Sequence, residues 1–548
     1  MDGRLILAGR RVETADLQDS LNPASLEPLG RFNLASPQEC DQAVQSAKAA
    51  FPSWRDLPGR EKQKIYRRAK QALLERSAEV AETIAREKGG PLTENWAMEI
   101  FPVLEALDYY GRAAVKNSRP QRSRPHTFLF FHRTAGFRFQ PLGPTLIISP
   151  WNFPFLIPAF DCLSALTAGN TVVLRPSSST ALTGLLLGEI LLEAGLPPGV
   201  LNVVPCKTQY AEGMITSPDV QTVMFTGSSG IGKHIMSLAS RNLTNLTLEL
   251  GGKDPMIVCR DADVERAARG AVWGAFCNCG QSCGSVERAY VHQDIVEEFT
   301  ERVTTLTREM KVGDPLSEGT DLGPMTTLPQ LRLVEEHIRD AQDRGAEILC
   351  GGDRASGGLR GYFLNPAVLT NVDHSMLIMQ EETFGPTLPI MAFAEIEEAV
   401  GLANDSVYGL TASVWTRSRA MANRMADALE AGTVSVNDHM TTFPEPNAIW
   451  GGIKQTGLGR SHGPYGMLEL VNIKYTSFDF ARKKDMVWWF PYGRSTQDIL
   501  ENAATLYHHP RKGRKAKALG AIAPRLGELL RKVPLRNFIK SIPNVLSK

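Results

Sequence analysis

Three cysteines, Cys277, Cys279 and Cys283, lie within Phe276-Cys-Asn-Cys-Gly-Gln-Ser-Cys-Gly-Ser285. No histidine stands beside them and their spacing matches no common zinc pattern, so a metal centre is set aside. Gly280, Gln281, Ser282 and Gly284 surround Cys283. Small or polar neighbours suit an accessible turn, and accessibility is what a nucleophilic thiolate needs. The plainer alternative is a buried structural thiol. Upstream, Glu249 is flanked by Leu248 and Leu250 and followed by Gly251, Gly252 and Lys253. A carboxylate partly withdrawn from water gains a raised pKa suited to general-base work. Its plainer alternative is an ion pair with Lys253. The turn Phe225-Thr-Gly-Ser-Ser-Gly-Ile-Gly232 has bare amides that could cradle a phosphate, but it is not the G-x-G-x-x-G fingerprint.

Positioning such groups requires a scaffold. Ser36, Pro37 and Glu39 form a capping-box signature, and Val44, Ala47 and Phe51 recur at helical spacing, with helix expected to about Lys88. Short apolar runs follow at Thr145 to Ile148, Thr171 to Leu174, Val200 to Val204 and Thr222 to Phe225, with amphipathic Ala181 to Ala194 between two of them. A second series stands at Met256 to Cys259, Leu388 to Phe393, Thr411 to Trp415 and Thr433 to Val436. Such spacing suits right-handed parallel crossovers, so two doubly wound α/β units with a cleft between them are expected. The uncharged stretch between Arg138 and Asp161 contains five prolines and reads as strand plus loop rather than a membrane span. Lys116 to Phe139, basic and rich in β formers, reads as a hairpin for subunit contact or as a long surface loop.

The chain has 548 residues, 43% hydrophobic and 22% charged, which indicates a globular protein of about three domains. Its 60 Lys+Arg and 59 Asp+Glu leave a net charge of +1, which taken alone argues against a nucleic-acid partner. The charge is unevenly placed. From Arg511 to Lys548 there are eleven basic residues and one acid, Glu528, so this tail carries +10 and residues 1 to 510 carry −9. Eight cysteines without framework spacing point to a reducing compartment, and Met1 to Asp16 lacks a signal-peptide core, so a cytoplasmic location is expected.

Ser149-Pro-Trp-Asn-Phe-Pro154, Gly169-Asn170, Phe225-Thr-Gly-Ser228, Glu249-Leu-Gly-Gly-Lys253, Gly280-Gln-Ser-Cys283, Glu381-Glu-Thr-Phe-Gly-Pro386 and Gly451-Gly-Ile-Lys454 occur in the order and rough spacing of the aldehyde dehydrogenase superfamily, which the chain resembles from about Asn22 to Tyr475. The resemblance implies an NAD(P)-dependent hydrolytic enzyme with a nucleotide-binding domain (1–115 and 140–248), a catalytic domain (249–459), an oligomerisation β-arm (116–139 and 460–480) and a C-terminal extension (481–548). It implies Cys283 as nucleophile, Asn152 with the Cys283 N–H as oxyanion donors, and Glu249 as the base that activates water against the thioester. Trp151, Gly227 and Ser228 would follow the pyrophosphate, Ile231 the adenine side, and Glu382 with Phe384 the nicotinamide ribose, with Leu250 also among the cofactor-binding residues. A homodimer or homotetramer is implied as well.

Two departures stand out. Where the family usually shows Lys-Pro-x-Glu around the adenosine ribose, this chain has Arg175-Pro-Ser-Ser178, replacing a carboxylate that repels a 2′-phosphate; NADP is therefore expected to be accepted beside NAD. Ten residues after Trp151, where several hydrolytic relatives carry lysine, stands Asp161. Phe153, Phe155, Ile157 and Phe160 fall on the segment that lines the substrate tunnel in relatives, and a lipophilic or aromatic aldehyde is expected. In the tail, Ile522, Leu526, Leu529, Leu530 and Val533, then Leu535, Phe538, Ile539 and Ile542, recur at helical spacing. With the aromatic run Trp488 to Tyr492 they suggest contact of residues 511–548 with an anionic membrane surface, against docking on the enzyme's own acidic body. Glu249 argues against an acylating enzyme that passes the acyl group to coenzyme A. The joint presence of Cys283, Glu249, Asn152 and Glu382 argues against a silent scaffold.

Overall fold

A computed structural model describes residues 2–117, 120–356, 358–481 and 483–534. The chain forms two compact units, one of residues 1–116 and 141–471, the other of 117–140 with the chain from 472 onward.

The first unit contains two α/β sheets. Parallel strands Asn245–Glu249, Thr222–Thr226, Thr145–Ile148, Val172–Arg175 and Leu201–Val203 form the centre of one, in that order. Antiparallel Gly457–Leu458 closes one edge, and Leu5–Leu7 with Arg10–Val12 the other. Near-continuous apolar runs such as Thr145–Ile148 are buried throughout, as helix-covered parallel strands must be. Among the covering helices, Pro37–Asp56 starts with the expected capping box, Ser36 and Glu39 each bonding the other's end of the first turn. The second sheet runs Glu347–Cys350, Ala367–Thr370, Thr387–Phe393, Arg288–His292, Pro255–Val258, Thr411–Trp415 and Thr433–Val436, parallel except at its first pair. Within the proline-rich stretch the structure differs from the strand-plus-loop expectation. Leu156–Ala168 is a helix, because Pro158 sits in its first turn, where the missing N–H has no intrahelical partner to lose.

In the second unit, Gln121–Ser123, Arg133–Pro141 and Val471–Asp479 form a three-stranded sheet, and His132 Nε2 lies 2.9 Å from Asp479 Oδ2. Helices Arg494–His508, Lys512–Ile522 and Leu526–Lys532 follow. Their apolar faces meet in a small core of Val487, Ile499, Leu506, Ala518, Ile522, Leu529 and Val533. The hydrophobic face of the tail is thus covered by its own neighbours, while Leu526 lies exposed; Leu535, Phe538, Ile539 and Ile542 fall outside the described residues. No described helix is long and apolar enough to cross a membrane.

Candidate active site

Cys283 stands after an unusual turn. Asn278, Cys279 and Gly280 adopt left-handed φ values of 55°, 57° and 68° in succession. Asparagine and glycine tolerate this region singly, but Cys279 ordinarily avoids it and three such residues in a row are rare, so the turn must be held by its surroundings. Glu94 Oε2 accepts the Asn278 N–H at 2.7 Å, and Asn278 Nδ2 donates to the carbonyls of Asn152 (2.8 Å) and Gln281 (3.0 Å). Gln281 Oε1 in turn accepts the Thr326 N–H at 2.9 Å. At Gly280 only glycine fits, because a Cβ would stand 2.1 Å from the Gly385 carbonyl oxygen. Asn152 Nδ2 donates to the Gln281 carbonyl at 3.1 Å, which joins the Trp-Asn segment to the cysteine loop and leaves one amide N–H.

The loop presents Cys283, with Ser282 and Gly284, to a narrow apolar cavity walled by Met98, Phe153, Leu156, Ile157, Met440, Phe443, Pro444 and Trp450. Phe153 and Ile157 line it. Phe160 does not: it is fully buried and stacks on Phe443 at 5.9 Å, backing the wall from behind. Phe155 is likewise core. Burial pushes the Cys283 thiol up, and the carboxylates of Asp254, Glu382 and Glu249 push the same way.

Glu249 ends the strand Asn245–Glu249 and is 5% exposed. Burial first, then the Asp161 carboxylate, push it up to about 8, against the pull of Arg460 and Ser461. It does not pair with Lys253, whose Nζ lies 2.5 Å from Glu287 Oε2 and donates to Thr383 Oγ1 at 3.0 Å. Glu287 also accepts the N–H groups of Thr383 (3.0 Å) and Phe384 (2.9 Å), fixing the loop that carries Glu382. Glu382 accepts the Gly252 N–H at 2.9 Å, and Trp151 meets Phe384 edge-on at 5.6 Å.

A dinucleotide would find matching groups here. Ser228 precedes the helix Ser229–Ala239 without capping it through its side chain, leaving first-turn amides for an anion. Gly227 lacks room for a Cβ, which would come 2.5 Å from the Phe225 ring, while half-exposed Ile231 offers an apolar face. Leu250 is buried behind this turn, packed so closely on Gly232 that a Cβ there would stand 2.5 Å from its methyl group. Arg175 Nη2 donates to the Cys206 carbonyl at 3.1 Å, its Nε has no hydrogen-bond partner among the described residues, and Ser178 is partly exposed nearby in sequence.

Several supporting residues escaped sequence reasoning. Buried Lys88 lies 3.1 Å from Glu99 Oε1, while Glu99 Oε2 accepts the N–H groups of Phe155 (2.9 Å) and Leu156 (3.0 Å) at the start of the cavity helix. Glu99 belongs to a π-helical turn, Trp96–Ile100, a geometry common at functional sites but without a sequence signature. Met440, Phe443 and Trp450 approach from nearly 300 residues away in sequence from Phe153, and only the Gly451-Gly452 motif beside Trp450 marked that region.

Residues 11–476 match the model of the aldehyde dehydrogenase family. A 4,4'-diapolycopene aldehyde oxidase of Methylomonas sp is 37% identical over 87% of this chain and 88% of its own length. The peroxisomal aminoaldehyde dehydrogenase 2 of Pisum sativum is 35% identical over 86% and 94% respectively. Among solved structures, an E. coli NADP dependent enzyme superposes with a TM-score of 0.84 at 32% identity, covering 87% of this chain and 98% of the other.

Proposed function

The chain belongs to the aldehyde dehydrogenase family and is an NAD(P)-dependent enzyme; from that premise we propose that it oxidises a lipophilic or aromatic aldehyde to the carboxylic acid. The observation that carries this reading is the apolar cavity, which ends at Cys283 and is walled by methionine, aliphatic and aromatic side chains. The Cys283 sulfur, freed of its proton, adds to the aldehyde carbon, and the carbonyl oxygen becomes an oxyanion. Asn152 offers its remaining amide N–H and Cys283 its backbone N–H to that charge. A nicotinamide bound beside Glu382 and Phe384 supplies the acceptor for the hydride that leaves this adduct. Glu249 takes a proton from the water that attacks the resulting thioester, and the C–S bond breaks to release the acid.

The proposal is tested with decanal, benzaldehyde and 4-aminobutanal, following cofactor reduction with NAD and NADP. The neutral aldehydes should give kcat/KM at least about tenfold above the cationic one. Preference for 4-aminobutanal would sink the substrate reading. Arg175 and Ser178 support use of NADP beside NAD.

For the second unit we infer subunit contact, as homodimer or homotetramer. Ile473, Tyr475 and Phe478 lie exposed along the strand Val471–Asp479, an apolar edge that a second copy would cover. Light scattering would give one protomer mass if this is wrong. We further infer a cytoplasmic location and adsorption to anionic membranes. Exposed Trp489, Phe490 and Tyr492 and the basic residues Arg511, Lys512, Arg514 and Lys517 support contact through these side chains, not through the buried tail face. Unchanged liposome flotation after reversing those four charges would overturn it.

A further inference from the structure

Arg288 and Tyr290 stand two residues apart on the strand Arg288–His292, so their side chains leave the sheet on the same face. Arg288 is 1% exposed, and this buried cation bonds carbonyls and a hydroxyl rather than a carboxylate. Its Nε and Nη2 both donate to the Lys253 carbonyl, at 3.0 and 2.7 Å. Nη2 also donates to the Ala403 carbonyl at 3.0 Å, and Nη1 reaches that of Leu402 at 3.3 Å, both in the last turn of the helix Ile396–Asn404. Carbonyls at a helix C-terminus carry partial negative charge, which balances the guanidinium there.

A second set of hydrogen bonds orients the guanidinium from behind. Nη1 donates to the Tyr290 hydroxyl at 3.0 Å, that oxygen lies 2.9 Å from His374 Nε2, and His374 Nδ1 lies 2.8 Å from Asp405 Oδ2. A carboxylate that accepts at Nδ1 leaves a neutral imidazole its lone pair at Nε2. The phenol therefore donates to the ring and turns its own lone pairs toward Arg288; the Leu402 carbonyl, at 3.3 Å, is the more distant acceptor. Burial pushes Tyr290 up to about 12, so it keeps the proton that this arrangement needs. From Asp405 inward the bonds run in one direction and end on a main-chain carbonyl.

That carbonyl closes the segment on which two parts of the site rest. Gly252, the residue before Lys253, donates its N–H to Glu382 Oε1 at 2.9 Å. A Cβ on Gly251 would stand 2.7 Å from Glu382 Oε2, and one on Gly252 would stand 2.6 Å from the Cys283 carbonyl oxygen. The two glycines thus pack against both the carboxylate on the nicotinamide side and the main chain of the nucleophile. Such close approach excludes any side chain, and glycine without one has the freest backbone of all residues. The bidentate grip of Arg288 on the next carbonyl supplies the rigidity that the glycines lack.

We propose that Arg288, oriented by Tyr290 and His374, is a positioning residue for hydride transfer. By holding the Lys253 carbonyl it keeps Gly252 against Glu382 and Cys283, and so sets where the nicotinamide ribose lies relative to the adduct on the cysteine. Arg288 touches neither substrate nor cofactor. It acts through the main chain and Glu382, and the inference rests on the dehydrogenase reading above, which gives Glu382 to the ribose.

The test uses full-length enzyme and two readouts: the Kd for NAD from quenching of protein fluorescence, and the isotope effect on kcat with decanal deuterated at its aldehyde carbon. Tyr290→Phe keeps the ring and removes the hydroxyl that orients Arg288. Its Kd should rise about fivefold and its isotope effect should increase, with KM for decanal changed by less than about twofold. Arg288→Lys keeps the charge but loses the fork and should act in the same direction more strongly; Tyr290→Phe, the milder change, serves if that variant does not fold. In the Glu382→Ala background, Tyr290→Phe should alter Kd by less than about 1.5-fold, because its effect travels through that carboxylate. A folded Tyr290→Phe enzyme unchanged in either readout, or effects on Kd that add in full to those of Glu382→Ala, overturns the proposal and leaves Arg288 a helix cap alone. Wild-type enzyme that neither binds NAD nor reduces it would instead overturn the function itself, a result distinct from an active enzyme indifferent to Tyr290.

Discussion

At the scale of single residues, the site combines a thiol that burial makes reluctant to ionise with a carboxylate that burial makes basic. A group near 8 can take the proton of the attacking water, which an ordinary carboxylate would do poorly. Cys283→Ala should lower kcat by at least about a thousandfold in the cofactor-reduction assay. Glu249→Gln should still form thioester, giving at most one reduced cofactor per site before a slow steady state; a full linear rate without a burst would reject the assigned role. These same carboxyls make stability depend on pH. Asp161 and Glu382 sit at about 7 and Glu249 at about 8 in the folded chain, above their unfolded values near 4. The folded state therefore binds more protons across that interval, and stability present at low pH is lost as pH rises through 7 and 8. Thermal midpoints should fall between pH 6 and pH 9, and Glu249→Gln should flatten part of that fall.

At the scale of elements, what local chemistry specifies was legible and what distant contacts impose was not. Ser36 and Glu39 announced their helix because a capping box closes within four residues. Apolar runs located the strands because buried parallel strands need them. By contrast, nothing in the letters Asn278-Cys279 states that both residues turn left-handed; Glu94 and Gln281 impose it from outside. Phe160 is expected as tunnel lining because it falls on the segment that lines the tunnel in relatives, yet it stacks on Phe443, distant in sequence, and Phe443 is the one that walls the cavity. Substitution Gly280→Ala tests how firmly the turn is locked. With a Cβ 2.1 Å from the Gly385 oxygen and a positive φ, it should cost about 2 kcal/mol or more in urea unfolding and reduce kcat together with stability. Ser178→Glu puts a carboxylate at the position the family resemblance assigns to the adenosine ribose and should shift the NADP-to-NAD ratio of kcat/KM toward NAD by about tenfold or more; an unchanged ratio would place the discrimination elsewhere.

For the whole molecule, the near-zero net charge conceals an acidic body and a basic end, and the structure gives that end a core of its own. Truncation before Arg511 should therefore expose Ile499 and Leu506 and yield a chain that binds a hydrophobic dye and aggregates. Charge reversal on the outer face should leave folding intact, which makes it the cleaner probe of membrane contact. Strand order has a further consequence, for biosynthesis. The edge strand beside Glu249 comes from Gly457–Leu458, and Gly451 packs closely against its carboxylate. Ribosomes adding 5–20 residues per second need roughly 10–40 s to travel the intervening distance. Through that interval the nascent chain holds Glu249 on an open sheet edge, and its basicity, which depends on enclosure, arises only when most of the polypeptide has emerged.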